Sequence, residues 1–528
     1  MSAMPPELVS LTIDGQPVSV PKGTTLIEAA KRAGVLVPHY CYHPSLPSPA
    51  VCRMCLVEVE KAPKLLPACV TAVTEGQVVH TQSATAKKAR EGVLELLLIN
   101  HPLDCPICDQ SGECELQDYT FQEGRAGGRY EEYAKRFNPV EDFGPDVLYV
   151  ANRCILCTRC VRFMEDVAKE PVLNVSERGD RAFIGIDPAH QLTHPWSGNV
   201  VDLCPVGSLL SKDFLHKARA WDLDKTASIC TGCSQGCNIM VETRDDVVVR
   251  LRPRPNLEVN RHFMCDTGRM DYRWMNRGDR VEAPLIREGQ KLVARDWEAS
   301  LRRVAELVKG AEGSVVILAS GGASNESLDQ VQALLGGRAV SAAVRLPQGD
   351  TEAPLLGVPN LALRKERAPN GEGAKLLGYG ASWEAALKAC ATAALVLVVD
   401  VELSEAERKA VTEAKSVIVF ATIDQGFDPW VSAVLPITNV AEESGTFVNR
   451  DGRVQRYWQA KSAPGMARPI WWVAAEAHSI ATGRAAPGSA EEAFAALAVT
   501  VPAFGGMSHA DLGFTGRAVE GRTAGAAR

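Results

Sequence analysis

The cysteines of this chain are concentrated in its first half, and their spacing limits what that half can fold into. Fifteen of the sixteen cysteines in the 528-residue chain lie before residue 266. They form four groups, and each group offers four ligands once one histidine is included. The groups are Cys41, Cys52, Cys55 and Cys69; His101, Cys105, Cys108 and Cys114; Cys154, Cys157, Cys160 and Cys204; and Cys230, Cys233, Cys237 and Cys265. This pattern predicts four bound metal centres.

The thiols are expected to stay reduced. The N-terminal sequence MSAMPPELVSLTIDG lacks a basic region followed by an apolar one, which predicts no secretory signal and a reducing compartment. The longest apolar runs, residues 93–99 and 393–399, fall short of the roughly 18 residues that a membrane span needs. The net charge of -7 argues against nucleic acid or an anionic membrane surface as the main partner.

The third and fourth groups favour iron-sulfur clusters over zinc. Zinc is also held by four cysteines or by three cysteines and a histidine, but usually from two separated Cys-x2-Cys pairs. Here CILCTRC (154–160) and CTGCSQGC (230–237) each place three thiols within eight residues. In the third group the remote ligand Cys204 is followed by proline, as in bacterial ferredoxins. Each of these two groups therefore predicts a [4Fe-4S] cluster, with zinc as the alternative.

The first group predicts a [2Fe-2S] cluster in a β-grasp ferredoxin domain. It differs from the plant ferredoxin pattern in its first spacer but keeps the Cys-x2-Cys pair and a remote fourth cysteine. Upstream, the Asp14-Gly15 turn lies between alternating apolar residues and predicts a β-hairpin. The following segment predicts a helix with a capping box of Thr25 and Glu28, ending at Gly34.

The second group predicts a [4Fe-4S] cluster with one histidine ligand. Residues 84–100 have apolar positions at helical spacing and lead into His101-Pro102, where proline disfavours continuation of the helix. A lone histidine at a helix end is more often structural. Three thiols follow this one, however, and the first half of the chain has no unassigned fourth cysteine. An imidazole in place of a thiolate lowers the negative charge of the site and changes its reduction potential.

Four stretches in this order resemble the large iron-sulfur subunit (the 75 kDa-type subunit) of bacterial NADH:quinone oxidoreductase, respiratory complex I. They are HYCYHPSLPSPAVCRMCLVEVE, NHPLDCPICDQSGECELQD, NRCILCTRCVRF and VVDLCPVGSL. The resemblance implies an electron-transfer subunit that takes electrons from a flavin- and NADH-binding subunit and passes them towards quinone. It also implies contacts with other peripheral-arm subunits at the cytoplasmic face of the plasma membrane, without a membrane span. We recognise no substrate site and no catalytic residue in the chain itself.

The remainder resembles a shortened molybdopterin oxidoreductase. The fourth group, followed by DTGR, is similar to the cluster at the head of that family, and AEESGTFVNRDGRVQ (441–455) resembles a later region. Strand and helix patterns alternate from residue 275 onward, with continuous apolar runs typical of a buried parallel sheet. No cysteine is placed to bind molybdenum, so we expect a degenerate scaffold without that cofactor. The alternative function is an iron-sulfur subunit of an NAD-linked formate dehydrogenase or hydrogenase complex.

The expected fold is therefore a multi-domain α+β chain holding one [2Fe-2S] and three [4Fe-4S] clusters. The predicted domains are a β-grasp [2Fe-2S] ferredoxin domain (1–82), a [4Fe-4S] segment with one histidine and three cysteine ligands (83–122), a bacterial-ferredoxin-like [4Fe-4S] domain (123–222), a [4Fe-4S] head (223–280), a molybdopterin-oxidoreductase-like α/β domain (281–500) and a flexible tail (501–528). Cys390 is expected to be a small core residue of a helix.

Basic residues lie near the cysteine groups, and the sequence alone does not rank them. They are Arg53, Arg153, Arg159, Arg162, Arg250, Arg252 and Arg254. Each is either a solvated surface charge or a cation that stabilises the reduced form of a cluster and raises its potential.

Overall fold

The computed structural model describes residues 7–131, 135, 138–336, 338, 340–427 and 430–519. The chain divides into two compact units. The first contains residues 1–222 together with Leu355–Val358, and the second contains residues 223–354 and 359–528. Within the described residues, no helix combines the length and the apolar character that crossing a membrane requires.

The first domain of the first unit is a mixed sheet covered by one helix. Its elements are β1 (Leu8–Ile13), β2 (Gln16–Pro21), α1 (Leu26–Arg32), β3 (Leu56–Val59), β4 (Leu66–Pro67) and β5 (Gln77–His80). The strand order is β2-β1-β5-β3-β4, with β1 antiparallel to β2 and parallel to β5. Asp14 and Gly15 have φ of 47° and 82°, as a tight hairpin turn requires. The predicted β-grasp fold is confirmed.

The capping box predicted at the start of α1 is wrong. Thr25 is the N-cap residue, but its side chain makes no capping hydrogen bond. The carboxylate of Glu28 instead accepts a hydrogen bond from the hydroxyl of Tyr42. Tyr42 follows the first cysteine of the first group, so Glu28 connects the helix to the cysteine loop. Gly34 has a φ of +73° and ends the helix as predicted.

The rest of the first unit consists of short elements between long loops. They are α2 (Ala84–Asn100), α3 (Glu115–Glu123), β6 (Val140–Asp142), β7 (Val147–Val150), α4 (Arg159–Arg162) with a π-helical turn over Phe163–Ala168, β8 (Leu173–Ser176), β9 (Phe183–Ile186), α5 (Asn199–Leu203) and β10 (Leu209–Ser211). Helix α2 has the predicted bounds, and its N-cap Ser83 accepts a hydrogen bond from the backbone of Ala86. Strands β10, β7 and β6 form one antiparallel sheet, and β8 pairs with β9.

The second unit begins with a three-stranded antiparallel sheet and continues into a large mixed sheet. Its first elements are β11 (Asp224–Ile229), β12 (Asn238–Arg244), β13 (Val247–Pro253), α6 (Asp266–Met270), β14 (Leu285–Glu288), β15 (Lys291–Ala294), α7 (Trp297–Gly310), β16 (Val315–Ser320), α8 (Asn325–Leu334), β17 (Val340–Arg345), β18 (Ala353–Pro354) and β19 (Ala362–Leu363). The later elements are α9 (Gly371–Leu376), α10 (Trp383–Cys390), β20 (Leu395–Val399), α11 (Glu405–Val411), β21 (Val417–Ala421), β22 (Ala433–Pro436), β23 (Gly445–Val448), β24 (Arg453–Tyr457), α12 (Ile470–Thr482), α13 (Ala490–Thr500), α14 (His509–Leu512) and β25 (Arg517–Ala518).

The large sheet has the order β15-β14-β22-β21-β20-β16-β17. The five strands from β22 to β17 are parallel, and β14 and β15 add an antiparallel hairpin at one edge. All residues of β20 and β21 are buried, as the continuous apolar runs predicted. Cys390 is buried at the end of α10, and its thiol lies 3.3 Å from the carbonyl of Ala386. Its predicted role as a core residue is confirmed.

The flexible tail predicted for residues 501–528 is wrong over the part that the structure describes. Residues 502–519 form a 3-10 turn, helix α14 and strand β25, which pairs with β24. Phe504 and Leu512 are fully buried, and His509 bonds Glu326 at 3.0 Å inside the unit. Widely spaced apolar residues anchor this glycine-rich segment, and such spacing lacks the periodicity by which helices and strands are recognised. Residues 520–528 lie outside the described residues.

We expect Phe504→Ala to destabilise the second unit by about 3–5 kcal/mol, because it removes a fully buried ring. That ring packs edge to face against Phe494, with 6.0 Å between the centroids. The measurement is the unfolding temperature of the full chain in a calorimeter. Val499→Ala is the control, because Val499 is 86% exposed and should change stability by less than about 0.5 kcal/mol. Equal unfolding temperatures for the two variants would contradict the packed tail.

Candidate metal centres

The four thiols of the first group form two close pairs. Cys41, Cys52 and Cys55 lie in the loop between α1 and β3, and Cys69 follows β4. The thiol of Cys52 interacts with that of Cys41, and the thiol of Cys55 interacts with that of Cys69. Cys69 is also in contact with Cys41, so the pairs are adjacent. Two adjacent pairs of thiols are the donor set that two bridged iron atoms need, so these residues fit a [2Fe-2S] cluster.

Every cysteine loop contains backbone in the left-handed region. The residues concerned are Arg53 (φ 60°), Gly112 (φ 88°), Leu156 (φ 52°), Thr158 (φ 60°) and Gly236 (φ 65°). A left-handed residue next to a right-handed one turns successive N–H groups towards a common centre, which forms a concave site for an anion or an iron-sulfur cluster. Side chains other than glycine tolerate this conformation at a cost. Its presence in all four loops is compatible with loops that wrap around a negatively charged group.

The second group is assembled from the ends of two helices. His101 is the C-cap residue of α2, Cys105 begins a 3-10 turn, and Cys114 is the N-cap residue of α3. His101, Cys105 and Cys114 line one open cleft of about 570 Å³. The thiol of Cys108 interacts electrostatically with that of Cys105, and both act on Cys114. The structure thus places the predicted histidine in one cleft with two of the three predicted thiols, and the third, Cys108, interacts with both of these thiols.

The imidazole of His101 is held in the form that binds metals. Burial lowers its pKa to about 4, and the nearby cations Lys135 and Arg153 act in the same direction. At neutral pH the ring is therefore uncharged and keeps a free lone pair, as ligation requires. A histidine that served as a charged helix cap would instead have its pKa raised by the helix C-terminus.

The backbone that follows the third group packs closely against the second group. Gly207, in the loop after Cys204, lies so near the second group that a β-carbon there would be 2.1 Å from the sulfur of Cys108. Only glycine fits at this position without displacing that sulfur. The sequence CPVG contains this glycine but gives no sign of the residue that it contacts, so sequence analysis missed its role.

The third group surrounds a small apolar cavity. Cys154 and Cys157 lie in the loop before α4, Cys160 lies in α4, and Cys204 is the C-cap residue of α5. All four side chains line the cavity together with Tyr149. Burial raises the pKa of Cys157 to about 12 and those of Cys154 and Cys204 to about 11. Tyr149 was not singled out in the sequence, because strand alternation shows only that its side chain points inward.

The fourth group lies in the second unit, next to strand β12 and helix α6. Cys230 and Cys237 are joined by a backbone hydrogen bond of 2.8 Å, and Cys265 is the N-cap residue of α6. The N–H of Gly268 donates to the sulfur of Cys265 at 3.3 Å. A β-carbon on Gly268 would lie 2.9 Å from the sulfur of Cys230, so the glycine leaves room for the sulfurs. Burial raises the pKa of Cys265 to about 12 and those of Cys230 and Cys237 well above the usual value.

These thiol environments fit iron-sulfur clusters. Several thiols buried together ionise only when metal charge compensates them. Across the part of the chain that the structure describes, no three histidine, cysteine, aspartate or glutamate side chains converge closely enough to hold one ion. In an iron-sulfur cluster the ligands are distributed over two or four iron atoms, so wider spacing than at a single-ion site is compatible with a cluster. Backbone N–H groups that donate to the sulfurs stabilise their negative charge.

The comparisons with known families follow the order of the groups. The family model for a 2Fe-2S iron-sulfur cluster binding domain matches residues 7–84, and the NADH-ubiquinone oxidoreductase-G iron-sulfur binding region matches 90–128. The ferredoxin-like domain of NADH-quinone oxidoreductase subunit 3 matches 144–210. The molybdopterin oxidoreductase Fe4S4 domain matches 223–277, and the molybdopterin oxidoreductase family matches 379–477.

Curated relatives are subunits of NADH-quinone or NADH-ubiquinone oxidoreductases. The G-type subunit of NADH-quinone oxidoreductase from Rickettsia bellii is 43% identical over 302 residues, which are 57% of this chain and 44% of the relative. The matched part of the chain is homologous to that G-type subunit. The mitochondrial 78 kDa subunit of NADH-ubiquinone oxidoreductase from Neurospora crassa is 46% identical over 305 residues, 58% of this chain and 41% of its own length. The chain covers less than half the length of either relative.

One solved structure aligns with this chain over less than half of its length. A chain in the crystal structure of NAD+-reducing [NiFe]-hydrogenase in the H2-reduced state is 27% identical, with 40% of this chain and 90% of that chain covered and a TM-score of 0.37. The family matches, not this alignment, confirm the resemblance to the large iron-sulfur subunit and the predicted order of [2Fe-2S] and [4Fe-4S] domains. The individual ligands stay predictions.

Proposed function

We propose that the chain is an electron-transfer subunit of an NADH:quinone oxidoreductase. It passes single electrons along iron-sulfur clusters from a flavin- and NADH-binding subunit towards quinone. One observation carries the proposal: side chains from the first three cysteine groups belong to one hydrophobic cluster. That cluster contains Cys41, Cys114 and Cys157 as buried members, with Cys52 and Cys204 packed against it.

Packing of this kind suits electron transfer. The ligands of three groups are separated by dense apolar side chains such as Tyr40, Met54 and Leu94, which are fully buried. A dry, rigid environment reduces the reorganisation that accompanies a change of charge, and it protects the thiolates from oxidants. The fourth group lies in the other unit, so its position on or off the main route is not part of the proposal.

The residues have distinct tasks in this function. When bound, the clusters supply one-electron oxidation and reduction. The proposed ligands are the four sets Cys41, Cys52, Cys55, Cys69; His101, Cys105, Cys108, Cys114; Cys154, Cys157, Cys160, Cys204; and Cys230, Cys233, Cys237, Cys265. Gly207 and Gly268 keep space beside the sulfurs, and Tyr149 lines the third site. The proposed partners are the flavin-bearing subunit and other peripheral subunits at the cytoplasmic face of the plasma membrane.

We expect the purified chain to accept electrons from dithionite but not from NADH. The glycine-rich stretch at the end of β16, residues 318–326, matches neither Gly-x-Gly-x-x-Gly nor a P-loop, so we recognise no nucleotide site that would deliver a hydride. The measurement is anaerobic bleaching of the visible cluster absorbance after each reductant. Adding the flavin-bearing partner should restore reduction by NADH.

The control is NADH with free flavin at the concentration of the partner, which should reduce the clusters only slowly. Fast reduction by NADH alone would mean that the chain has a nucleotide site of its own. Failure of the partner to restore reduction would remove the proposed place of the chain between flavin and quinone.

A further inference from the structure

Three buried arginines lie in the segment that carries the third cysteine group. Arg153, Arg159 and Arg162 are between 4% and 8% exposed, although arginine is almost never fully buried without a partner. By contrast, Arg53, beside the first group, is exposed. The structure therefore distinguishes these basic residues by their burial, which the sequence did not reveal. It also distinguishes the three buried arginines by their ion-pair and hydrogen-bond partners.

Two of the three are neutralised by acids. Arg153 pairs with Asp104 at 2.9 Å, and Arg159 pairs with Glu115 at 3.0 Å. Each also donates to a backbone carbonyl near Cys204, Arg153 to Gly207 and Arg159 to Leu203. Their positive charges are compensated locally, so they act on the clusters mainly as dipoles and as structural ties.

Arg162 has a different set of partners. Among the described residues, its guanidinium donates to the hydroxyl of Thr158 and to the carbonyls of Pro47, Cys41 and Cys157. All of these acceptors are neutral. One nitrogen, Nη2, serves both Cys41, in the first group, and Cys157, in the third, at 2.5 and 3.2 Å. The two carbonyl oxygens therefore lie less than about 6 Å apart.

A buried cation with only neutral acceptors is costly unless negative charge lies nearby. Burial lowers the pKa of Arg162, and Arg159 acts in the same direction, whereas the charges of Cys157, Cys41 and Cys160 in the first and third groups favour the charged guanidinium. Clusters held by four thiolates keep net negative charge in both oxidation states. The charge of Arg162 is therefore balanced when both sets of thiolates are metal-bound.

We propose that Arg162 is a shared positioning residue that raises the reduction potentials of the first and third centres together. Reduction adds one electron to a centre and neither forms nor breaks a bond, so the negative charge beside the guanidinium increases. A fixed cation stabilises that reduced form, and its position between two ligand carbonyls gives it access to both centres. This inference rests on the ligands of the proposed function but not on its electron donor or acceptor.

The test compares Arg162→Gln and Arg162→Lys in the full chain with Arg32→Gln. Arg32 is exposed at the end of α1, so its variant removes the same charge from solvent. Redox titration with dithionite and mediators, followed by paramagnetic resonance at two temperatures, reports the two centres separately, and iron analysis reports loading. We expect Arg162→Gln to disfavour reduction of both centres at least tenfold, a fall of about 59 mV in each potential. Arg162→Lys should keep the reduction equilibrium of both centres within threefold of the parent value, and Arg32→Gln should change neither equilibrium.

The other outcomes are also decisive. A shift in only one centre, or equal shifts in the Gln and Lys variants, would overturn the shared electrostatic role. Loss of iron in the Gln variant with full loading of the Lys variant would support it, because charge alone would then hold both centres. If neither variant binds iron, Arg162 is a structural tie and the proposal is wrong. Because dithionite is the reductant, these results do not depend on whether NADH or quinone is the physiological partner.

Discussion

Anaerobic reconstitution of the purified chain with iron and sulfide is expected to yield about fourteen irons and as much acid-labile sulfide per chain. One [2Fe-2S] cluster contributes two irons and each of three [4Fe-4S] clusters contributes four. The physical basis is that each of the four groups supplies four donors, most of them buried or partly buried thiols. The measurement is iron, sulfide and zinc content of the same sample.

Two cysteine variants assign the iron to particular thiols. Cys157→Ala removes a proposed ligand of the third cluster and should lower the content by about four irons. Cys390→Ala removes a thiol that is also buried but lies in α10, outside the four groups, and it should keep the full content. Substantial zinc with two or fewer irons in the parent chain would contradict the iron-sulfur interpretation. Equal losses in both variants would show that iron content reports folding rather than ligation.

The parts of the fold that were predictable have strong local signals. The Asp14-Gly15 turn needs positive φ, helix α2 has regular apolar spacing and a proline after its end, and the parallel strands are continuous apolar runs. The Thr25-Glu28 capping box failed because Tyr42, distant in sequence, competes for the carboxylate of Glu28. The packed segment after residue 500 was missed because its anchors are single apolar residues between glycines.

In the candidate site, too, features with local sequence signals were predictable and contacts between distant residues were not. Most of the cysteine spacing within each group is local, so the four groups could be proposed from the sequence alone, and their ligand roles stay predictions. The contacts between groups are not local: Gly207 approaches Cys108 across 99 positions, and Arg162 reaches Cys41 across 121. The sequence placed Arg53 and Arg162 in the same class, and only the fold shows that one is exposed and the other buried between two groups.

His101→Ala is expected to make the second centre labile, with a loss of between about one and four irons per chain. The variant removes one ligand and leaves three thiols, one of which, Cys105, is exposed to solvent. His101→Cys supplies a thiolate from a shorter side chain, so it should restore the cluster incompletely and lower its potential by adding negative charge. Iron content and the low-temperature paramagnetic spectrum of each variant measure these effects.

Two controls separate ligation from a structural role of the imidazole. His80→Ala removes a solvent-accessible histidine of the same unit, which pairs with Glu60 at 3.1 Å, and it should leave iron and spectrum unchanged. Cys108→Ala should lose the same cluster as His101→Ala, because both residues would serve one centre. A histidine that only makes a hydrogen bond would cost about 1 kcal/mol of stability with every cluster intact. If His101→Ala keeps its iron and spectrum while Cys108→Ala loses a cluster, the imidazole is structural and the second centre takes its fourth ligand elsewhere.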